Sequence, residues 1–293
     1  MQSEPTAPPD VVRSVGLVVN AERAGAVVFA NEFSDWLRDR GLQVCVTRNV
    51  TEASNESDGV FARLASESDL VVVLGGDGSV LGAARRAAPG GKLILGVHWG
   101  GMGFLSECHP DDARDAIERV LRGEYYVEER RMLLAEVWRG EEKLCNRPAL
   151  NDVAVTRETL SRILRLEVTI EGEVAASYQG DGLLVSTATG STGHSLSAGG
   201  PVLDPCADVF AVTPICPHSL NGRAIIIPTT KRVSIRHFSP LARVIATIDG
   251  QVGTAMESSD RLEVSRAPWP ARLVRLGPAQ FYQNLSDKLH WKL

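Results

Sequence analysis

Three observations predict a two-part fold, α/β followed by β. Over residues 12–131 apolar, β-branched runs alternate with segments of helical period, the pattern of a parallel sheet with helices on both faces. Over 132–270 strand patterns follow one another with little helical signal, which points to an antiparallel domain. Residues 271–293 return to one strand and one helix. The expectation is a Rossmann-like α/β domain, then an antiparallel β-sandwich. Residues 1–11, rich in Pro, Ser and Glu without an apolar core, read as a disordered tail, not a secretion signal.

In the first domain Ser14–Asn20 is an apolar strand, Ala26–Arg40 a helix and Leu42–Thr47 a strand. A short helix near Val60–Ala65 leads to the strand Leu70–Leu74. A helix opens at Ser79, with Val80, Leu81, Ala83, Ala84 and Ala87 at helical spacing. Lys92–Val97 is the next strand and Asp111–Arg122 an amphipathic helix. In the second domain the strands are Leu133–Trp138, Asp152–Thr156, Leu164–Ile170, Glu173–Tyr178, Leu183–Ser186, Val209–Thr213, Ala224–Ile227, Val233–Arg236, Val244–Ile248 and Leu262–Ser265. The chain closes with a strand at Leu273–Leu276 and a helix at Ala279–Leu289.

The run Leu70-Val71-Val72-Val73-Leu74-Gly75-Gly76-Asp77-Gly78-Ser79 joins a buried strand to a helix through glycines around one carboxylate. Gly76 and Gly78 let a ligand approach the backbone closely, and free amides at a helix start face anions. Asp77 repels phosphate there unless a metal or a proton transfer is involved. A plain Gly-Asp-Gly turn is the bland alternative. Residues 180–201 repeat the strand-plus-glycine theme and add seven Ser or Thr residues. Small hydroxyls and glycines leave room for a base or sugar and supply donors and acceptors.

Composition excludes more than it selects. The chain has 293 residues with 44% hydrophobic content and a formal net charge of −5. That length suits two domains, and that charge gives no reason to expect nucleic acid or an anionic membrane as partner. No apolar run approaches the roughly 18 residues of a membrane span. Five scattered cysteines form no C-x-x-C pair, so free thiols in a reducing cytoplasm are expected and no zinc site is. The segment Gly193-His194-Ser195-Leu196-Ser197 lacks the closing glycine of a hydrolase elbow. Leu81 stands where G-x-G-x-x-G needs its third glycine, against a dehydrogenase. A lipid kinase is disfavoured by the hydroxyl-rich loop and by the lack of a basic amphipathic stretch.

With both segments in view the chain resembles the NAD kinase family over roughly residues 12–285. Gly96-Val97-His98-Trp99-Gly100-Gly101-Met102-Gly103-Phe104-Leu105 is similar to its second glycine loop, and Asn151-Asp152 to its Asn-acidic pair. Pro214-Ile215-Cys216-Pro217-His218-Ser219-Leu220 and Asp249-Gly250-Gln251 match later signatures in order. The resemblance implies transfer of the ATP γ-phosphoryl group to the 2′-hydroxyl of the adenosyl ribose of NAD. It implies Asp77 as the base, flanked by Gly76 and Gly78; orienting a metal-bound phosphate is the other role open to it. Asn151 and Asp152 would bind base and ribose, and Asp181 the far end of the dinucleotide. Thr189, Thr192, Gly193, His194 and Ser197 would line the pocket. Phe104 would pack on a ring, Gln251 would supply an amide, Arg162 a phosphate contact, and Cys216 a pocket wall. Phe104 and Cys216 fit simple packing equally well, and His218 fits a structural hydrogen bond better than catalysis.

No G-x-x-x-x-G-K-[ST] loop occurs, so ATP is not held in P-loop fashion, and Mg²⁺ would ride mainly on the triphosphate with few dedicated protein ligands. The resemblance also implies a homodimer or homotetramer, a cytoplasmic location, and a C-terminal tail returning to the first domain. Four positions depart from the family pattern: His98 for Asn, Asp152 for Glu, Gly193-His194 for Ala-Tyr, and Gly82 for Arg. They motivate an alternative, phosphorylation of another ribosyl or nucleotide acceptor. A third possibility is a nucleotide-binding module without turnover.

Overall fold

The computed structural model describes residues 11–48, 64–101, 103–158, 163–218, 222–278 and 281–291. Most of the short helix expected near Val60–Ala65 lies outside these residues, as do Arg162, Met102, Ser219 and Leu220. The chain divides into two compact units, residues 1–129 with 271–293, and residues 130–270.

The first unit is built on strands β1 (Ser14–Val19), β2 (Gln43–Arg48), β3 (Leu70–Gly75), β4 (Leu93–His98), β5 (Tyr126–Arg130) and β18 (Ala271–Arg275), in the order β2-β1-β3-β4-β18-β5. The pairs β1–β2, β1–β3, β3–β4 and β4–β18 are all parallel. β1, β3 and β4 are buried at every residue, as unbroken apolar runs require in a sheet covered on both faces. Helices α1 (Ala26–Arg38) and α3 (Ala113–Leu121) seat Ala30, Phe33, Leu37, Ile117 and Val120 in one core with Leu17, Leu70, Val72 and Leu95. Helix α2 (Asp77–Ala87) follows β3 and buries Val80, Ala83, Ala84 and Ala87. The returning strand β18 makes the C-terminus an internal part of this sheet, and helix α5 (Phe281–Lys288) follows it.

The second unit holds two six-stranded sheets. One runs β10 (Glu173–Gly180), β9 (Leu164–Ile170), β14 (Val233–His237), β17 (Asp260–Arg266), β6 (Leu133–Arg139), β7 (Glu142–Ala149). The other runs β13 (Ile225–Pro228), β12 (Val209–Ile215), β11 (Gly182–Thr187), β8 (Asp152–Arg157), β15 (Val244–Ile248), β16 (Val252–Met256). All their pairings are antiparallel. Leu133, Val137, Leu166, Ile235 and Val264 from one sheet share a core with Val153, Val155, Val185, Phe210 and Ile248 from the other, the arrangement of a sandwich.

Burial differs from strand to strand. β6, β9 and β17 alternate between buried and more open positions, while β11 is buried throughout. Strands β5, β7 and β16 were not expected from the pattern of the sequence. All three are sheet edges, where one side of the backbone goes unpaired and apolar alternation is not required. Helix α2 starts at Asp77, two residues before the expected Ser79, because Gly76 takes the cap position and its carbonyl accepts from Ser79 and Val80. The hydroxyl-rich segment is less loop-like than expected: it folds into a 3₁₀ turn, Thr189–Thr192, and a single helical turn α4, His194–Ser197.

Candidate active site

The expected site residues fall into two groups, one in each unit. In the first unit the chain leaves β3 through Gly75 and Gly76, so Asp77 stands at the first position of α2. Asp77 is half-buried and Gly78 exposed. The Asp77 carboxylate accepts from the amide of Phe104 at 2.8 Å, the amide of Leu105 at 3.2 Å and Ser106 Oγ at 3.4 Å. Gly103 makes this possible: a Cβ there would overlap the Asp77 carboxylate, so only glycine lets the second loop lie on the first. A carboxylate offers about four lone-pair directions, and two amides and a distant hydroxyl leave room for a ligand's proton.

The carbonyl side of this loop is gripped from β18. Arg275 Nη2 donates to Phe104 O at 3.3 Å, and Nη1 to Leu105 O at 3.3 Å and Ser106 O at 3.4 Å. The same guanidinium pairs with Glu128 at 2.6 Å and Glu107 at 3.2 Å. Burial opposes its charge, but these two carboxylates outweigh burial and raise its pKa. Residues 104–106 are therefore held between an anion on their amides and a cation on their carbonyls. The Phe104 ring packs 5.8 Å from Phe281, with Lys288 Nζ 5.1 Å from its centroid. Its ring is thus in contact with α5, which the sequence did not foretell.

His98 closes the first group. It is 1% exposed and edge-on to His109, with ring centroids 3.7 Å apart. Nδ1 lies 3.0 Å from Gly100 O, so Nδ1 carries the proton and Nε2 is an unprotonated acceptor with no partner. Burial, then the charge of His109, lower its pKa. His98 is thus sequestered beneath the loop, and Gly82, a second departure, is buried within α2.

In the second unit Asp152 is the first residue of β8 and Asn151 immediately precedes it. Asp152 is 5% exposed. Burial, reinforced by the neighbouring Asp249 charge, pushes its pKa up to about 7. It pairs across the sheet with Ser186 of β11, on the face opposite the core residues Val153 and Val185. The hydroxyl-rich turn is stitched to the same strand start. Thr187 Oγ1 donates to Leu150 O at 2.6 Å and accepts from Gly190 N at 3.0 Å, and Thr187 N donates to Asn151 O at 2.9 Å. A Cβ at Gly190 would overlap the Asn151 carbonyl, and one at Gly193 would sit 3.5 Å from the Asn151 amide nitrogen. The glycines of this segment therefore bring it down onto Asn151.

The remaining residues spread around this core. Thr189 is buried, its Oγ1 3.3 Å from Arg130 Nη1, and Thr192 Oγ1 donates to Thr189 O at 3.4 Å. His194 and Ser197 are exposed on α4. Asp181 pairs with Arg157 at 2.9 Å. Cys216 is exposed with φ of 45°, and Gln251 is half-buried in the β15–β16 turn. His218 is exposed and donates its amide to Gln179 O at 2.8 Å. Arg162 lies outside the described residues. Among the described residues no group of three or more His, Cys, Asp or Glu could hold a metal ion.

Asp249 is matched in the sequence only as part of a family signature, with no role given to it. Its carboxylate accepts from the amides of Leu150, Asn151 and Asp152 at 3.2, 2.8 and 3.1 Å. The available signal was the Asp-Gly pair between two β-branched runs, which marks a hairpin turn; nothing local to it points at residues 150–152.

The chain matches the model of the ATP-NAD kinase N-terminal domain over residues 15–125 and that of the C-terminal domain over residues 150–276. It is 39% identical to the NAD kinase of Moorella thermoacetica over 280 residues, covering 95% of this chain and 89% of that one. It is 39% identical to the NAD kinase of Heliobacterium modesticaldum, covering 94% and 98%. Among solved structures, a yeast NADH kinase complexed with NADH superposes with a TM-score of 0.86 at 20% identity, covering 99% and 94%. An NAD kinase from Archaeoglobus fulgidus in complex with ATP gives 0.73 at 20% identity, covering 96% and 100%. At that identity the structural likeness speaks for the fold alone, and the sequence matches speak for kinship. The chain belongs to the ATP-NAD kinase family.

Proposed function

We infer that this protein is an NAD kinase that transfers the γ-phosphoryl group of ATP to the 2′-hydroxyl of the adenosyl ribose of NAD, yielding NADP and ADP. The observation that carries this is the match to both family domains along one chain. A bond forms between the ribose 2′-oxygen and the γ-phosphorus, and the bond from that phosphorus to the β–γ bridging oxygen breaks. A ribose hydroxyl is a weak nucleophile at neutral pH, so its proton needs an acceptor. Asp77 suits that role: it is half-buried beside the exposed Gly78, and its amide partners fix the carboxylate while leaving lone pairs for the hydroxyl. Mg²⁺ enters as part of the MgATP substrate, where it neutralises charge on the triphosphate.

Dinucleotide recognition belongs to the second group. Ionised Asp152 accepts from sugar hydroxyls and Asn151 faces the base, with Thr189, Thr192, Gly193, His194 and Ser197 as wall. Asp181 stays at its far end, and Cys216 and Gln251 at its margins. Gly76, Gly78 and Phe104 belong with Asp77 in the glycine-loop group, and Arg162 is a phosphate contact. We propose a cytoplasmic homodimer or homotetramer, which light scattering checks; no described helix is long and apolar enough to cross a membrane.

The test is product formation by purified protein given MgATP and, in parallel, NAD, NADH, adenosine and AMP. NADP from NAD at the highest kcat/KM supports the assignment. A higher kcat/KM on a nucleoside or nucleotide transfers it to the other acceptor, and binding without product from any acceptor refutes the kinase.

A further inference from the structure

Asp249 sits in the left-handed region, φ 49°, followed by Gly250 at 65°, a turn that Asp and Gly tolerate. From there its Oδ1 takes the amides of Asn151 and Asp152 and its Oδ2 that of Leu150. In return, the Asp249 amide donates to Asp152 O at 2.8 Å. Four hydrogen bonds thus tie one turn residue to the segment that leads into β8. All of them involve the backbone of residues 150–152, so they fix where side chains 151 and 152 project, whatever those side chains are. Asp249 is 8% exposed and Asp152 5%, so two carboxylates lie close together away from water.

We propose that Asp249 is the positioning residue of the dinucleotide half of the site: its three-amide latch places Asn151 and Asp152, and its charge beside Asp152 sets the acid limit of NAD use. This rests on the dinucleotide role given to Asp152 above. Burial and Asp249 are what act on Asp152; its cross-strand neighbour on β11 is the uncharged Ser186. The ionised carboxylate is the stronger acceptor for a sugar hydroxyl, because a charge-assisted hydrogen bond is roughly twice as strong as a neutral one. Burial and the Asp249 charge push Asp152 up to about 7, so the ionised form gives way to the protonated one as pH falls through neutrality.

The experiment is the pH profile of kcat/KM for NAD in wild type, Asp249→Asn and Asp152→Asn, alongside carboxyl ¹³C NMR titration of each protein. Wild type is expected to lose kcat/KM about tenfold per pH unit below 7. In Asp249→Asn that limb moves about one unit to acid, and the high-pH plateau falls about tenfold through KM with kcat little changed. A side-chain NH₂ there also meets a backbone N–H donor to donor. Asp152→Asn has no such limb. By NMR, one wild-type aspartate titrates near 7, is missing in Asp152→Asn and is acid-shifted in Asp249→Asn. A limb that stays in place in an active Asp249→Asn overturns the proposal. Should Asp249→Asn not fold, the absence of a wild-type aspartate titrating near 7 overturns it equally. No NADP from wild type at any pH defeats the dinucleotide reading instead, and the NMR titration still decides whether Asp249 acts on Asp152.

Discussion

The glycine-loop group and the acidic group use one device for different ends. In each, an aspartate collects consecutive backbone amides: Asp77 those of Phe104 and Leu105, Asp249 those of Leu150, Asn151 and Asp152. Asp77 is half-buried beside an exposed glycine, whereas Asp249 is buried. The more open carboxylate therefore keeps lone pairs for chemistry, and the sealed one spends its oxygens on placing a neighbour. An aspartate anchoring amides is in itself neither catalytic nor structural; what decides is how much of it a ligand can still reach.

The sharpest way to break this contrast is at Asp77. Asp77→Asn is expected to lower kcat by about 10²–10⁴-fold, the usual worth of general-base assistance, with a stability loss of only about 1 kcal/mol for the impaired loop bond. A loss of stability without a matching loss of kcat would make Asp77 an anchor like Asp249. Arg275→Met comes next, and it works through folding. It leaves the half-buried Glu107 and Glu128 without their cation, which costs up to about 3–5 kcal/mol; urea unfolding measures it.

The two groups also answer pH in opposite senses. Asp152 has a folded-state pKa of about 7, raised from 3.8. The folded state thus holds a proton that the unfolded state releases, and stability falls as pH rises through that window. Asp152→Asn is therefore expected to be more stable than wild type at pH 8, by roughly 2–4 kcal/mol, with the advantage vanishing towards pH 4. His98 behaves the other way. Its pKa is lowered from 6.5, so the folded state resists a proton that the unfolded state takes, and stability falls as pH drops below 6.5. His98→Asn should flatten that acid slope between pH 7.5 and 5.5, read from chemical-denaturation midpoints.

The order of parallel and antiparallel parts was legible because it rests on local period. Leu70–Leu74 could be nothing but a doubly covered strand, and Leu164–Ile170 alternates as a half-open strand must. Strands β5, β7 and β16 were not legible: they are edge strands whose residues carry no strong apolar period, unlike the edge strand β2 with its Leu42–Thr47 run. The motif glycines and Asp77 stood out as sequence, but their contacts did not. Asp249 meets its amides across 97–99 residues, and Arg275 meets the Phe104 loop across about 170. Neither separation leaves a trace in any window of the chain. His98 was legible as a departure from the family, yet its burial against His109 depends on packing that no spacing encodes.

The measurement that bears most directly on the whole account is ³¹P NMR of the product made from MgATP and NAD by wild type and by Asp77→Asn. The account predicts a 2′-phosphomonoester on the adenosyl ribose with wild type, and its near-complete loss with the variant. A phosphoester elsewhere on the dinucleotide, or equal product from both proteins, would contradict it.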